Sequence, residues 1–200
     1  MKSIIFLLSF LTFVSCFRDN RSSYEMKVSA DRLEKDKVFK FEAESPFTTS
    51  EQRNFTGLKY FPPDESYRVE AEIERVDSPE IIQLATTIGK TEYYREYAIL
   101  HFPLEDRMID LMSYQSIEVL TEDENSRELF VPFYDQTNGD ETYGGGRYID
   151  LLIPEGEYLT IDFNYAYNPY CIYNDQYSCP VPPSSNKIPL SINAGEKNYP

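Results

Sequence analysis

Chemistry in this chain would have to come from two stretches of unusual composition. The first, "FVPFYDQTNGDETYGGGRYIDL" (130–151), sets Asp135, Thr137, Thr142, Tyr143 and Arg147 around a run of glycines. The second, "DFNYAYNPYCIYNDQYSCPVPP" (162–183), crowds Asp162, Asn164, Asn168, two cysteines and several tyrosines between prolines. Gly144-Gly145-Gly146 before Arg147 suits an anion cradle built from backbone N–H groups and a guanidinium, and a tight hairpin turn needs the same residues. Asp135, Asp162 and Glu196 supply carboxylates for a general acid and base, provided two of them converge on one pocket in different environments. Tyr165, Tyr167, Tyr170, Tyr173 and Tyr177 combine flat apolar faces with hydroxyl edges, which suits stacking on sugar rings or aromatic groups.

Other templates fit less well. Asp135, Thr137 and Gly139 echo the opening of a calcium loop, but Asp140 stands where the sharp-turn Gly belongs and Gly146 where a bidentate Glu should close the site. His101 is the single His of the chain, so zinc lacks a ligand set, and its strand-like surroundings suit a structural role. No metal is expected, and no cofactor is implied. No G-x-S-x-G elbow occurs. Cys171 and Cys179 are either a nucleophile with its resolving thiol or a disulfide. Neither has a basic neighbour in sequence to depress its pKa, and the expected compartment is oxidising, so the disulfide is the expectation.

Those residues need a scaffold. The 200 residues give room for one domain, and a formal charge of -15 excludes a nucleic-acid binder that works through clustered Lys and Arg. Lys2 precedes an apolar run from Ile4 to Val14, then Ser15 and Cys16. This reads as a signal peptide over 1–15 with Cys16 lipidated at a lipobox, residues 16–23 as a tether, and 24–200 as the domain. The expected location is the bacterial cell envelope, extracytoplasmic and held on a membrane by the lipid.

Within the domain, "YEMKVSADRLEKDKVFKF" predicts a helix between Tyr24 and Phe41, with Met26, Leu33 and Val38 as its apolar residues. Thr48-x-x-Glu51 is a capping-box pattern for a short helical turn. Alternation then takes over: "YRVEAEIE" puts Val69, Ala71 and Ile73 on one face. "YAILHF", "RMIDLM", "SIEVL", "ELFVPF", "GRYIDLLI", "EYLTIDF" and "KIPLSI" read as further short strands. The expected class is mainly β, a single antiparallel sandwich or barrel-like domain with an N-terminal helix. A hairpin about Pro154-Glu155-Gly156 would join the last two long strands and set Arg147 near Asp162 in one cleft.

Both unusual stretches resemble an uncharacterised bacterial and archaeal family, domain of unknown function 1684. Phe133, Asp135, Thr137, Gly139, Thr142, Tyr143, Gly146, Arg147 and Tyr148 fit its first motif. Its second is matched from Asp162 through Asn164, Tyr167, Asn168, Cys171, Cys179 and Asn186 to Glu196. Looser likeness runs back through "LKYFPPDESYRV" and "RLEKDKVF". The resemblance names no activity; it marks the two motifs as the part to explain. The leading expectation is a small polar or anionic ligand held by Asp135, Thr142, Tyr143, Arg147, Asp162, Asn164, Tyr167 and Asn168. The rivals are a hydrolase using Asp162 or Glu196 as acid/base, and an envelope lipoprotein whose motifs only fix the fold.

Overall fold

The computed structural model describes residues 22–199. The expected signal peptide and lipidated Cys16 lie outside them. Helix α1 (Ser23–Phe41) starts in a capping box, Ser22 with Glu25, and α2 (Thr49–Asn54) starts in the expected one, Thr48 with Glu51. The inward face of α1 is a surprise. Met26, Leu33 and Val38 are exposed, whereas Val28 and Phe39 are buried. Arg32 and Lys35 complete the same face, because positions 28, 32, 35 and 39 recur at helical spacing. Long basic side chains here lay their stems along the protein and carry their charge to specific acceptors.

The strands are β1 (Arg68–Arg75), β2 (Ile81–Ala85), β3 (Thr91–Leu104), β4 (Arg107–Ser116), β5 (Glu128–Phe133), β6 (Arg147–Leu152) and β7 (Tyr158–Asp162). They form one curled antiparallel sheet, a half-barrel, in the order β6-β5-β4-β3-β1-β7, with β2 on the outer half of β3. One face carries the main core: Leu100, Phe102, Leu111, Val131, Phe133, Ile161 and Phe163, closed by Ile188, Ile192 and Ala194 of the C-terminal segment. Each such side chain contributes roughly 1.5–3 kcal/mol by leaving water. A register shift between Glu96 and Ala98 on β3 lets Tyr94 join Tyr114 in a second, separate cluster, against which Phe130 packs. Among the described residues no helix is long and apolar enough to cross a membrane.

Three sequence expectations are corrected. "SIEVL" is helix α3 (Ile117–Glu122), capped by the Ser116 hydroxyl accepting from the Val119 N–H. "KIPLSI" forms no strand, only a single bridge between Lys187 and Tyr134. Its Ile188 and Ile192 reach the core from a loop. The β6–β7 hairpin does not form, and these strands end on opposite edges of the sheet path. β7 pairs instead with β1, Leu159 against Ala71 and Asp162 against Arg68, while β6 pairs with β5 along its whole length. Asn186 mends the seam where β4 and β5 share only the Tyr114–Phe130 pair: its amide accepts from Met112 N–H and donates to the carbonyls of Met112 and Pro132.

Candidate functional site

The glycine-rich motif is a closed loop between β5 and β6. Asp135 Oδ1 accepts from the N–H and hydroxyl of Thr137, at 2.8 and 2.5 Å, and from Ile192 N–H. The Thr137 and Thr142 hydroxyls meet at 2.8 Å, and the Asn138 amide donates to Thr142 and to the carbonyl of Tyr143. Gly146 sits at φ +89°, with Pro182 and the Phe133 carbonyl where a Cβ would go, so only glycine admits this approach. The chain then enters β6 at Arg147, whose side chain is 0% exposed. Its guanidinium donates to Asp135 Oδ2 at 2.8 Å and to the carbonyls of Ile192, Ala194 and Glu196. Desolvation lowers the Arg147 pKa from its ordinary value, and Asp135 opposes that shift. Arg147 thus clamps the C-terminal segment onto the core. Its partner is Asp135, and the expected approach to Asp162 is not made.

The second motif divides into two groups. Asp162 accepts the Tyr24 hydroxyl at 2.9 Å and the N–H and amide of Asn164. The Asn164 side-chain amide exchanges two hydrogen bonds with the backbone of Asp64, and the Asn164 backbone carbonyl accepts from Arg32. This cluster ties α1 and the 61–64 segment to the end of β7. Glu196 is elsewhere and 1% exposed. Its Oε2 accepts from Asn168 N–H and Tyr173 Oη at 2.8 and 2.9 Å, and its Oε1 faces Lys35 Nζ at 2.6 Å. Asp162 and Glu196 share no partner, so the structure does not assemble them as an acid/base pair.

An aromatic groove lies on the sheet face opposite the main core. It consists of two adjoining hollows, of about 670 and 490 Å³, that share Tyr94, Phe130 and Asp150. Alternation along β6 explains it: Ile149 turns to the core, so Tyr148 and Asp150 turn outward. Tyr94 stacks on Phe130 at 5.3 Å, and Tyr148 meets Phe130 edge-on at 4.7 Å and Tyr167 at 5.7 Å. The smaller hollow continues over Tyr167, Tyr170 and Tyr177. Lys35 brings its ammonium 4.7 Å above the Tyr167 ring, with Glu196 behind it. The Tyr167 hydroxyl donates to Asp150 Oδ2 at 2.7 Å. Desolvation raises the Asp150 carboxyl and holds the Tyr167 hydroxyl far above its usual range, so Tyr167 stays a neutral phenol that donates to Asp150. The larger hollow adds Glu92, Glu118 and Glu128 and has no cation on its wall.

Of the residues expected to hold the ligand by their polar groups, only Tyr167 lines this groove; of the tyrosines expected to stack, Tyr170 and Tyr177 line it as well. Asp135, Thr142, Arg147, Asn164 and Asn168 are buried in loop-closing contacts, Asp162 lies at the α1 contact, and Tyr143 approaches Cys171. Lys35, Tyr94, Phe130, Tyr148 and Asp150 were missed. For Tyr148 and Asp150 the alternation around Ile149 was the available signal; for Lys35 it was helical spacing with Val28 and Phe39. Among the described residues no three or more His, Cys, Asp or Glu side chains gather as metal ligands. The expected Cys171–Cys179 disulfide is not shown: the structure carries both as free thiols, with Cys171 N–H donating to Cys179 Sγ at 3.1 Å. The loop brings the sulfurs together without joining them.

No curated protein matches the chain. The solution NMR structure of the uncharacterized protein from gene locus rrnAC0354 of Haloarcula marismortui is similar, at 40% identity and a TM-score of 0.67. The match covers 87% of this chain and 94% of that one. The model of the family "Protein of unknown function (DUF1684)" matches residues 53–197, which contain β1 to β7, both motifs and all of the groove except Lys35. The chain belongs to that family.

Proposed function

We propose that the protein binds a small polar ligand with a flat ring face in the aromatic groove. The observation that carries this reading is the meeting of Tyr148, Tyr167 and Phe130 with Lys35 on one side and Asp150 on the other. Aromatic faces hold the ring, and the ammonium and carboxylate give hydrogen bonds to its edge, which is the arrangement of small-molecule sites. The carboxylates of the larger hollow favour a neutral or cationic ligand over an anionic one. Sugars and amine-bearing aromatics are the two classes that suit it. An acid/base hydrolase is less supported, since Asp162 and Glu196 stand apart. The consumption of Asp135, Thr142 and Asn164 in loop contacts favours a second reading, that the motifs serve the fold and the groove alone serves the ligand.

Ligand-observed NMR on the purified domain against sugar and aromatic-amine panels tests the proposal. Binding is expected to weaken at least tenfold in Tyr148→Ala and in Asp150→Asn, and to be unchanged in Met108→Ala, which lines a separate hollow with His101 and Tyr158. Binding that survives both groove substitutions, or no binding from either panel, would overturn it. We also propose that the domain sits outside the cytoplasm on a Cys16 lipid anchor, supported by the Ser15-Cys16 signal pattern. Metabolic labelling with a fatty-acid analogue is expected to mark the wild type and not Cys16→Ser.

A further inference from the structure

We propose that Cys171 and Cys179 form a thiol–disulfide exchange site in which Cys171 attacks and Cys179 resolves. The two sulfurs are held by different means. Cys179 belongs to an extended segment that continues the edge of β2: its carbonyl accepts from Thr87 N–H at 3.0 Å, and Val181 N–H donates to the Ala85 carbonyl at 2.8 Å. Its N–H donates in turn to the Thr87 hydroxyl, and the residue is 5% exposed. Cys171 instead sits on a single 3-10 turn, Tyr170–Ile172, and is partly open to solvent. A fixed, enclosed sulfur beside a partly open one on a short turn is the arrangement that an attacking and a resolving thiol need.

The surroundings make the pair unequal. Hydrogen bonds from the Cys179 thiol, then from the Tyr143 and Thr87 hydroxyls, lower the Cys171 pKa to about 6 against its partial burial. The Tyr143 oxygen stands 3.9 Å from the Cys171 sulfur. Cys179 is pushed up, first by its bond to the Cys171 sulfur and then by burial, with Glu92 of β3 adding to the effect. Tyr143, Glu92 and Tyr148 of β6 are the ionisable side chains facing the pair from neighbouring elements; Tyr143, raised to about 12 chiefly by burial, stays a neutral donor, and burial holds the Tyr148 hydroxyl far above its usual range, so it too stays neutral. This is an activation that a search for sequence-adjacent Lys, Arg or His overlooks, because all three donors come from elsewhere in the chain.

The reaction consumes a disulfide, R–S–S–R′, from a small molecule or another protein. The Cys171 thiolate attacks one sulfur, the S–S bond breaks, and R′–S⁻ leaves and takes a proton. Cys179 loses its proton and attacks the Cys171 sulfur of the mixed disulfide, releasing R–S⁻. The protein ends oxidised with a Cys171–Cys179 bond, and two thiols, RSH and R′SH, are produced.

The test uses the chain carrying Cys16→Ser, in which Cys171 and Cys179 are the remaining thiols. Iodoacetamide alkylation, followed by peptide mass, is expected to label Cys171 with a pH midpoint near 6 and to spare Cys179. Oxidised glutathione is expected to form the internal bridge, and excess reduced glutathione to reopen it under native conditions. Cys179→Ser is expected to accumulate the glutathione adduct on Cys171, and Cys171→Ser to acquire none. A midpoint above about pH 8, the range of unperturbed thiols, would overturn the proposal. So would a bridge that reduced glutathione leaves closed, since that is the behaviour of a purely structural disulfide. Should Cys179→Ser fail to fold, the reversible bridging of the two-thiol chain decides alone.

Discussion

Arg147 shows how a functional-looking residue becomes a structural one. A guanidinium after three glycines suggests an exposed anion cradle, yet here it is fully enclosed and its acceptors are Asp135 and three carbonyls of the C-terminal segment. Breaking a buried pair leaves a charge without its partner, so Arg147→Ala is expected to cost about 3–5 kcal/mol. Urea denaturation checks this, and a loss below about 1 kcal/mol would mean that the clamp carries little of the stability. Glu196 offers a contrast, because Lys35 reaches it from the groove side. Glu196→Gln keeps an acceptor for Asn168 and Tyr173 but removes the charge facing Lys35. It is expected to lower stability by about 1–3 kcal/mol, and to change ligand affinity if the ammonium then reorients over Tyr167.

The elements carry their own tests. α2 has no buried residue of its own and holds Phe55 at its end against Phe39 and Phe47. Thr48→Ala removes the cap that accepts from Glu51 N–H, and is expected to cost about 1 kcal/mol in equilibrium unfolding. On the opposite side, His101 of β3 bonds Asp110 of β4 at 2.7 Å and Glu74 of β1 at 3.0 Å. The Asp110 bond, chiefly, raises its pKa above 6.5. A raised pKa means that the folded state binds the proton more tightly than the unfolded one. The contribution is therefore complete below about pH 6.5, the unfolded value, and is lost as pH rises through the raised folded value. Unfolding measured from pH 5 to 9 is expected to show this decline in the wild type, and a flatter profile in His101→Gln. Equal profiles would show that the ladder is screened by solvent.

At the scale of the molecule, the sheet separates two tasks. One face, with the motif loops folded onto it, is the core; the other carries the groove. Substitutions that empty the core, such as Phe102→Ala, are expected to cost about 3–5 kcal/mol by transfer and cavity terms. Tyr148→Ala opens the groove face instead, and its larger effect is expected on ligand binding, with a melting-temperature shift smaller than that of Phe102→Ala. Thermal unfolding of the two variants side by side measures the separation.

Local pattern was sufficient for β1, β4, β5 and β7, because period-two alternation reports which face is buried whatever the neighbouring strand is. It was sufficient also for the α1 and α2 boundaries, where Thr48 and Glu51 satisfy each other's backbone groups within four residues. It misled at "SIEVL", whose β-branched residues favour a strand until the Ser116 cap and the end of the β4 ladder permit a helical turn. The charge of -15 and the two motif stretches were likewise legible in the chain. Strand order was not, since pairing β7 with β1 instead of β6 depends on contacts between residues some ninety positions apart. Nor was the groove: Lys35, Tyr94, Phe130 and the Tyr148–Asp150 pair come from four different elements, and a sequence pattern records the face a residue takes but not the company it meets there. Only the curled sheet, with α1 and the tyrosine-rich loop laid against it, puts a cation, a carboxylate and four rings around one space.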